Sequence, residues 1–232
     1  MKKVISFGLW GTHARYNIGA IKNAELALLH YPGFECWFYI HTDTVPKNII
    51  DQLQNMPNTK LILRSGILDP LKLMTWRFES IDDPEVEINL SRDTDTRILL
   101  REKLAVDEWL NSGKLFHIMR DHPHHMNSLT PIMGGMFGTR KLPLSWKQSI
   151  CDTVLYNTNG VMFDQGFLAK IIYPLIINSC VIHSSFGTVT NESNVKCFPI
   201  PYDEQFNHVG GYVYEDESVS IEHVKILKSC VI

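Results

Sequence analysis

Between Val4 and Leu110 short β-rich runs alternate with helix-like segments, and this alternation restricts the fold more than any other feature of the chain. Val4–Trp10 is β-rich and ends at Gly11. Asn17 to Leu29 reads as a helix with Ile18, Ile21, Leu28 and Leu29 on its apolar face, stopped by Tyr31-Pro32-Gly33. Glu35–His41 is a second strand, Pro46 opens a helix running to Asn55, and Lys60–Leu63 is a third strand. Leu71–Phe78 reads as a short helix and Glu87–Leu90 as a fourth strand. Arg97–Leu110 is a helix, with Ile98, Glu102, Ala105, Val106, Trp109 and Leu110 at helical spacing. The pattern predicts an α/β fold with a mostly parallel central sheet flanked by helices. Ligands of such sheets bind beyond the carboxyl ends of the strands.

The second half is less regular. Phe116–Arg120 reads as a strand, Asp121–Pro131 as a polar, His-rich loop and Met133–Thr139 as a Gly-rich extended segment. Trp146–Tyr156 and Gln165–Ile176 are helix-like, and Val181–His183 is a short strand. Beyond Gly187 the Asn, Pro and Gly content rises, which predicts a loop-rich C-terminal part with one strand at Tyr212–Tyr214. The 232 residues, 44% of them hydrophobic, suffice for one domain spanning 1–232. A net charge of −3 offers no bulk electrostatic basis for binding nucleic acid. No apolar run approaches ~18 residues, so no stable membrane insertion is expected. The five cysteines are scattered and form no C-x-x-C pair, which fits reduced thiols in a cytoplasmic protein.

The chemistry centres on Asp93-Thr94-Asp95, the one Asp-x-Asp in the chain, which follows the Val86–Leu90 run. Residues i and i+2 of a strand face the same side, so the two carboxylates can converge on one Mn²⁺ or Mg²⁺ ion, which can in turn hold a diphosphate. The alternative is a solvated turn whose Asp caps the following helix. His122, His124 and His125 invite a zinc reading, but no Cys or His pair follows at zinc-finger or zincin spacing. Arg120 and His122 are therefore read as phosphate or sugar contacts at a strand end, against the alternative of a His-rich surface loop. Gly134-Gly135 would let the backbone approach a ligand closely, and the segment matches no dinucleotide or P-loop pattern. Asp164, after Asn157–Gly160, suits a helix N-cap or a catalytic carboxylate, and His183 suits a metal ligand or a structural strand histidine.

Taken in order, several segments resemble a family of small GT-A-type glycosyltransferase domains found in large algal viruses (chloroviruses) and in proteins that build surface polysaccharide. The segments are Phe7–Gly11 with Tyr16 and Gly19, Tyr31–Gly33, Ser91–Arg97, Arg101-Glu102, Val106 to Leu110, His117–Pro123, Gly134–Gly138, Asp164-Gln165 and His183. The resemblance runs from Val4 to His183. It implies a metal-dependent hexosyl- or deoxyhexosyltransferase, in the host cytoplasm if viral. Such an enzyme moves a sugar from a nucleotide sugar, a UDP-sugar being favoured, to a glycan or glycoprotein acceptor. By similarity, 1–110 would be the nucleotide-binding half and 111–232 the acceptor-side half and tail. Ser6, Gly8 and Tyr16 would lie near the base and ribose, and Arg77 and Arg92 near the phosphates. Asp93 and Asp95 would hold the metal with His183 as third ligand. Related retaining enzymes carry that histidine in a His-x-x-Gly-x-x-Lys signature, a spacing His183-Ser184-Ser185-Phe186-Gly187 lacks. Asp164 would sit near the anomeric carbon or the acceptor, in an inverting or a retaining route.

Two rival readings stand beside it. In a haloacid-dehalogenase-type phosphatase Asp93 would be the nucleophile and Asp95 the acid/base, although that motif usually opens its domain and here a full α/β unit precedes it. A catalytically inactive nucleotide- or glycan-binding module would bind the same ligands without turnover.

Overall fold

The computed structural model describes residues 1–156, 163–189 and 191–230; Asn157–Gly160, the stretch named before Asp164, lies outside them. Eight strands form one sheet in the order β3-β2-β1-β4-β6-β5-β7-β8. They are β1 (Lys2–Leu9), β2 (Phe34–His41), β3 (Thr59–Arg64), β4 (Val86–Arg92), β5 (Phe116–Arg120), β6 (Met136–Arg140), β7 (Cys180–Ser184) and β8 (Val195–Lys196). Only β6 runs antiparallel, between β4 and β5. The other neighbours pair in parallel. The central strands are buried on both faces, which is why β1 and β2 read as near-continuous apolar runs.

Helices α1 (Ala14–His30), α2 (Lys47–Gln54) and α4 (Leu100–Asn111) enclose one core with β1 and β2, in which Phe7 stacks on Phe38 at 4.8 Å. A second core around Phe116, Phe137 and Trp146 is closed by α5 (Trp146–Tyr156), α6 (Phe163–Phe167) and a π-type turn at Leu168–Ile172 that leads into α7 (Tyr173–Ile176). Between β3 and β4 lie α3 (Pro70–Thr75) and a 3₁₀ turn, Trp76–Asp82. No helix among the described residues is long and apolar enough to cross a membrane.

Two sequence expectations need correction. Helix α1 does not bury Leu28 and Leu29, which are 47% and 72% exposed. It buries Gly19, Ala20, Asn23, Ala24 and Ala27 instead. The helix backbone lies so close to the residues after β4 that only small side chains fit between them: a Cβ on Gly19 would strike the Thr94 carbonyl. The tail is also more ordered than its composition suggests. Tyr212–Tyr214 makes only isolated bridges, Thr96 with Tyr212 and Val213 with Val219, whereas Ile221–Cys230 forms a helix, α8.

A buried ion pair ties β4 to α4. Arg92 Nε donates to Glu102 Oε1 (2.8 Å), the same oxygen accepts from the Tyr31 hydroxyl (3.1 Å), and Arg92 Nη1 donates to the Phe137 carbonyl (2.8 Å). Glu102→Ala leaves this guanidinium buried without its carboxylate and is expected to cost about 3–5 kcal/mol in urea unfolding, whereas Arg92→Met with Glu102→Leu recovers most of it. Equal losses in the single and double variants would contradict this account.

Candidate functional site

A cavity of about 570 Å³ opens at the carboxyl ends of β1 and β4, lined by Gly8–His13, Tyr16, Met74, Arg77 and Asp93–Asp95. This is the switch point of the sheet, where strand order leaves β1 in opposite directions toward β2 and β4. The turn after β1 is held open by local bonds. Gly11 takes a left-handed φ of 80°, and Asn17 Nδ2 donates to the carbonyls of Gly11 (3.1 Å) and His13 (3.0 Å). The second wall is the Asp93–Asp95 loop. Asn23 of α1 reaches across to it, donating to the carbonyl of Thr96 (2.7 Å) and accepting from Ile98 N (3.0 Å). On the far side Val213 N donates to the Asp95 carbonyl (2.8 Å).

Neither aspartate caps the following helix. The residue before α4 is Leu99, and it makes no side-chain cap. Asp95 is instead a strongly perturbed carboxyl. Burial pushes its pKa up to about 6 and the neighbouring Asp93 charge adds to the rise, while Arg15, 3.6 Å away, opposes both. Asp93 is 39% exposed and pairs with Arg77 Nη1. The other arm of Arg77 donates to Asp164 Oδ2 (2.8 Å), so one buried guanidinium bridges two carboxylates from separate segments. Asp164 is fully buried, its pKa is raised mainly by burial, and its Oδ1 has no hydrogen-bond partner.

Gly134 and Gly135 pack directly on this ionic cluster. A Cβ on Gly134 would lie 2.7 Å from Asp164 Oδ2, and one on Gly135 would strike the Asp93 carboxylate. The segment is pinned from both sides. Ser91 Oγ donates to the Gly134 carbonyl (2.7 Å). The Gln165 amide, oriented to satisfy both contacts, donates to the Ile132 carbonyl (2.8 Å) and accepts from Gly134 N (3.0 Å).

The structure therefore gathers Gly8, Tyr16, Arg77, Asp93 and Asp95 around the cavity, with Gly134, Gly135 and Asp164 directly behind them. Five expected site residues lie elsewhere. Ser6 is buried within the sheet, where its Oγ has no partner. Arg92, the last residue of β4, is spent on Glu102, while Asp93, the first residue beyond the strand, takes the cavity side. Arg120 makes a two-pronged contact with Glu192 (2.8 and 2.7 Å) and donates to the Pro131 carbonyl. His183 Nδ1 lies 2.8 Å from His117 Nε2, and its Nε2 lies 3.3 Å from Glu108, so its neighbours are those groups rather than Asp93 and Asp95. His122 joins other histidines near the C-terminal helix.

Two contributors, Arg15 and Asn23, have no place in the sequence reading. Arg15 lies over the rings of Tyr16 (5.0 Å) and Tyr212 (5.2 Å) while facing Asp95. Asn23 had a readable signal, an amide on an otherwise small-residue helix face. The His-x-x-Gly spacing sought at His183 occurs at His208-Val209-Gly210-Gly211, with Tyr214 in the place of the Lys, but the His208 ring stacks on His122 and does not line this cavity.

A glycosyltransferase involved in the glycosylation of the major capsid of PBCV-1 superposes over 79% of this chain and 82% of its own, with a TM-score of 0.52 at 15% identity. An active-site mutant of LgtC superposes over 97% of this chain and 95% of its own, with a TM-score of 0.50 at 12% identity. The chain has the GT-A fold. At these identities the likeness is one of fold. No protein-family model matches the chain, and no curated protein matches it in sequence. Within the GT-A fold Asp93 and Asp95 follow the fourth strand, after a complete βαβ unit, unlike the domain-opening motif of the phosphatase alternative.

Asn23→Ala removes an acceptor for Ile98 N and a donor for Thr96 O. It is expected to lower stability by about 1–3 kcal/mol in urea unfolding, because buried backbone groups lose their partners. An unchanged midpoint would show that Asn23 does not hold the Asp93–Asp95 loop.

Proposed function

We propose that the chain is a glycosyltransferase that moves a sugar from a nucleoside diphosphate sugar, UDP-sugar favoured, to a hydroxyl of a glycan or glycoprotein acceptor. Asp93 and Asp95 carry the reading, as two carboxylates converging on one cavity at the switch point of a GT-A fold. They suit a Mn²⁺ or Mg²⁺ ion: Asp95 is destabilised as an anion by burial and by Asp93, and a divalent cation relieves that cost. When bound, the ion would offset the negative charge that grows on the leaving diphosphate.

The remaining roles fall to the chain's own side chains. Tyr16, Trp10 and the β1–α1 turn form the wall for base and ribose, so 1–110 acts as the nucleotide-binding half. Arg15 and Arg77 supply positive charge beside the two aspartates, where it stabilises the departing diphosphate. Asp164 is the catalytic carboxylate of this reading. Its raised pKa suits an acceptor-side base in an inverting route, and its buried charge suits an oxocarbenium-like centre in a retaining one. Arg77 covers Asp164 and joins it to Asp93, so Asp164 reaches substrate after Arg77 turns toward the diphosphate.

A thermal-shift screen of nucleoside diphosphates with and without Mn²⁺ tests the reading. UDP with Mn²⁺ is expected to raise the melting temperature most, and Asp95→Ala to abolish the metal-dependent part. If no nucleotide raises it, the transferase reading fails.

Proton competition gives a second test. Above pH about 6 Asp95 is ionised and Mn²⁺ affinity is level; below it a proton must leave before the ion binds. Apparent affinity then falls toward about tenfold per pH unit. A flat calorimetric profile between pH 5 and 7 would show that Asp95 is not a ligand.

A further inference from the structure

Five histidines meet at the end of β5, outside the donor cavity. His122 stacks on His208 with ring centroids 4.8 Å apart, His223 of α8 lies 4.7 Å from His122, and His124 and His125 flank them. One ligand atom from each of His122, His208 and His223 falls within 4.8 Å of the others. Burial holds His122 and His208 at a pKa of about 4, so both rings are neutral at pH 7, the form that ligates metals.

Packing alone does not account for the cluster. His208 Nε2 and His223 Nδ1 are both buried without any hydrogen-bond partner. A buried imidazole nitrogen without a partner is costly, and a cation at the point where the three rings meet would relieve that cost. Gly211 keeps that point close to backbone: a Cβ there would come within 2.8 Å of His208 Nε2. His122 is more constrained, with His124 N 3.1 Å from its Nδ1 and the His223 carbonyl 3.4 Å from its Nε2, so a bound cation replaces one of these contacts.

We propose that His122, His208 and His223 form a zinc-class transition-metal site, distinct from the Asp93/Asp95 pair, that fastens the C-terminal segment to the end of β5. Three imidazoles suit Zn²⁺ and leave a fourth tetrahedral position for water; Mg²⁺ and Mn²⁺ prefer oxygen ligands. The three ligands come from three separate stretches, so no local motif announces them. A metal here would brace the tail whose Val213 N and Tyr212 backbone contact the Asp93–Asp95 loop.

The test uses the full chain carrying Asp93→Asn and Asp95→Asn, stripped with EDTA and titrated with Co²⁺ and then Zn²⁺. This separates the site from the donor metal and from the transferase reading. One equivalent of Co²⁺ is expected to give the visible absorption of a tetrahedral ion, to be displaced by Zn²⁺, and to raise the melting temperature. His223→Ala in the same background, on the half-buried ligand, is expected to weaken binding by about 100-fold while circular dichroism confirms the fold. His208→Ala repeats the test on a second ligand. Absence of stoichiometric binding in the Asp-less chain overturns the proposal and places any metal bound by the unaltered protein at the aspartates. Binding that survives both histidine variants marks adventitious surface metal and overturns it equally.

Discussion

Arg77 sets the geometry of the donor cavity. Its guanidinium is buried and must be paired, because an isolated charge in that environment would cost far more than the fold can spare. It finds Asp93 after β4 and Asp164 in α6, two acceptors 71 positions apart in the sequence by their numbering. Joining them draws the end of β4 against the second half of the chain and leaves no room over the pair for a side chain on Gly134 or Gly135. The result is a floor in which charge, backbone and carboxylate are held together before any ligand arrives.

The same requirement, repeated at other arginines, explains how an irregular tail is held in place. Arg101 binds both oxygens of Asp121 at 3.0 Å, Arg97 binds Glu217, and Arg120 binds Glu192. Asp121 also accepts from Val209 N, and the Arg101 guanidinium lies over the rings of Phe198 (4.4 Å) and Tyr202 (4.2 Å). These contacts carry residues 198–217 back across the carboxyl end of the sheet. They place Tyr212 beside Arg15 and bring His208 to His122. The tail thus becomes part of the surroundings of the donor cavity without contributing a regular strand.

Local physics suffices for part of the fold. The first four strands and helices α1, α2 and α4 were visible because buried parallel strands are apolar runs and helices carry a repeating apolar face. The apolar face of α1 was misassigned because the contact with the Thr94 carbonyl selects for smallness rather than for hydrophobicity. Arg92 beside the metal motif reads as a phosphate contact and Arg120 at a strand end as a phosphate or sugar contact, because an arginine in either place looks the same whether its partner is a ligand or a carboxylate of the chain. Glu102 lies ten positions from Arg92 and Glu192 seventy-two from Arg120. Nothing within α1 names the Asp93–Asp95 loop as the partner of Arg15 or Asn23, although the Asn23 amide on a face of small residues signals a polar contact.

The order of elements and the position of Asp93-x-Asp95 at a strand end were determined by the sequence alone, because periodicity and spacing are local properties of the chain. These sufficed to locate a cation-binding candidate at the carboxyl edge of a parallel sheet. Which charges face that edge was decided only in three dimensions. Arg92 ends β4 and turns to α4, whereas Asp93, just past the strand, turns to the cavity. Each buried arginine then takes whichever anion the packing brings near, and that choice gave Arg77 to the site and withheld Arg120 from it, while His183 lies against His117 and Glu108.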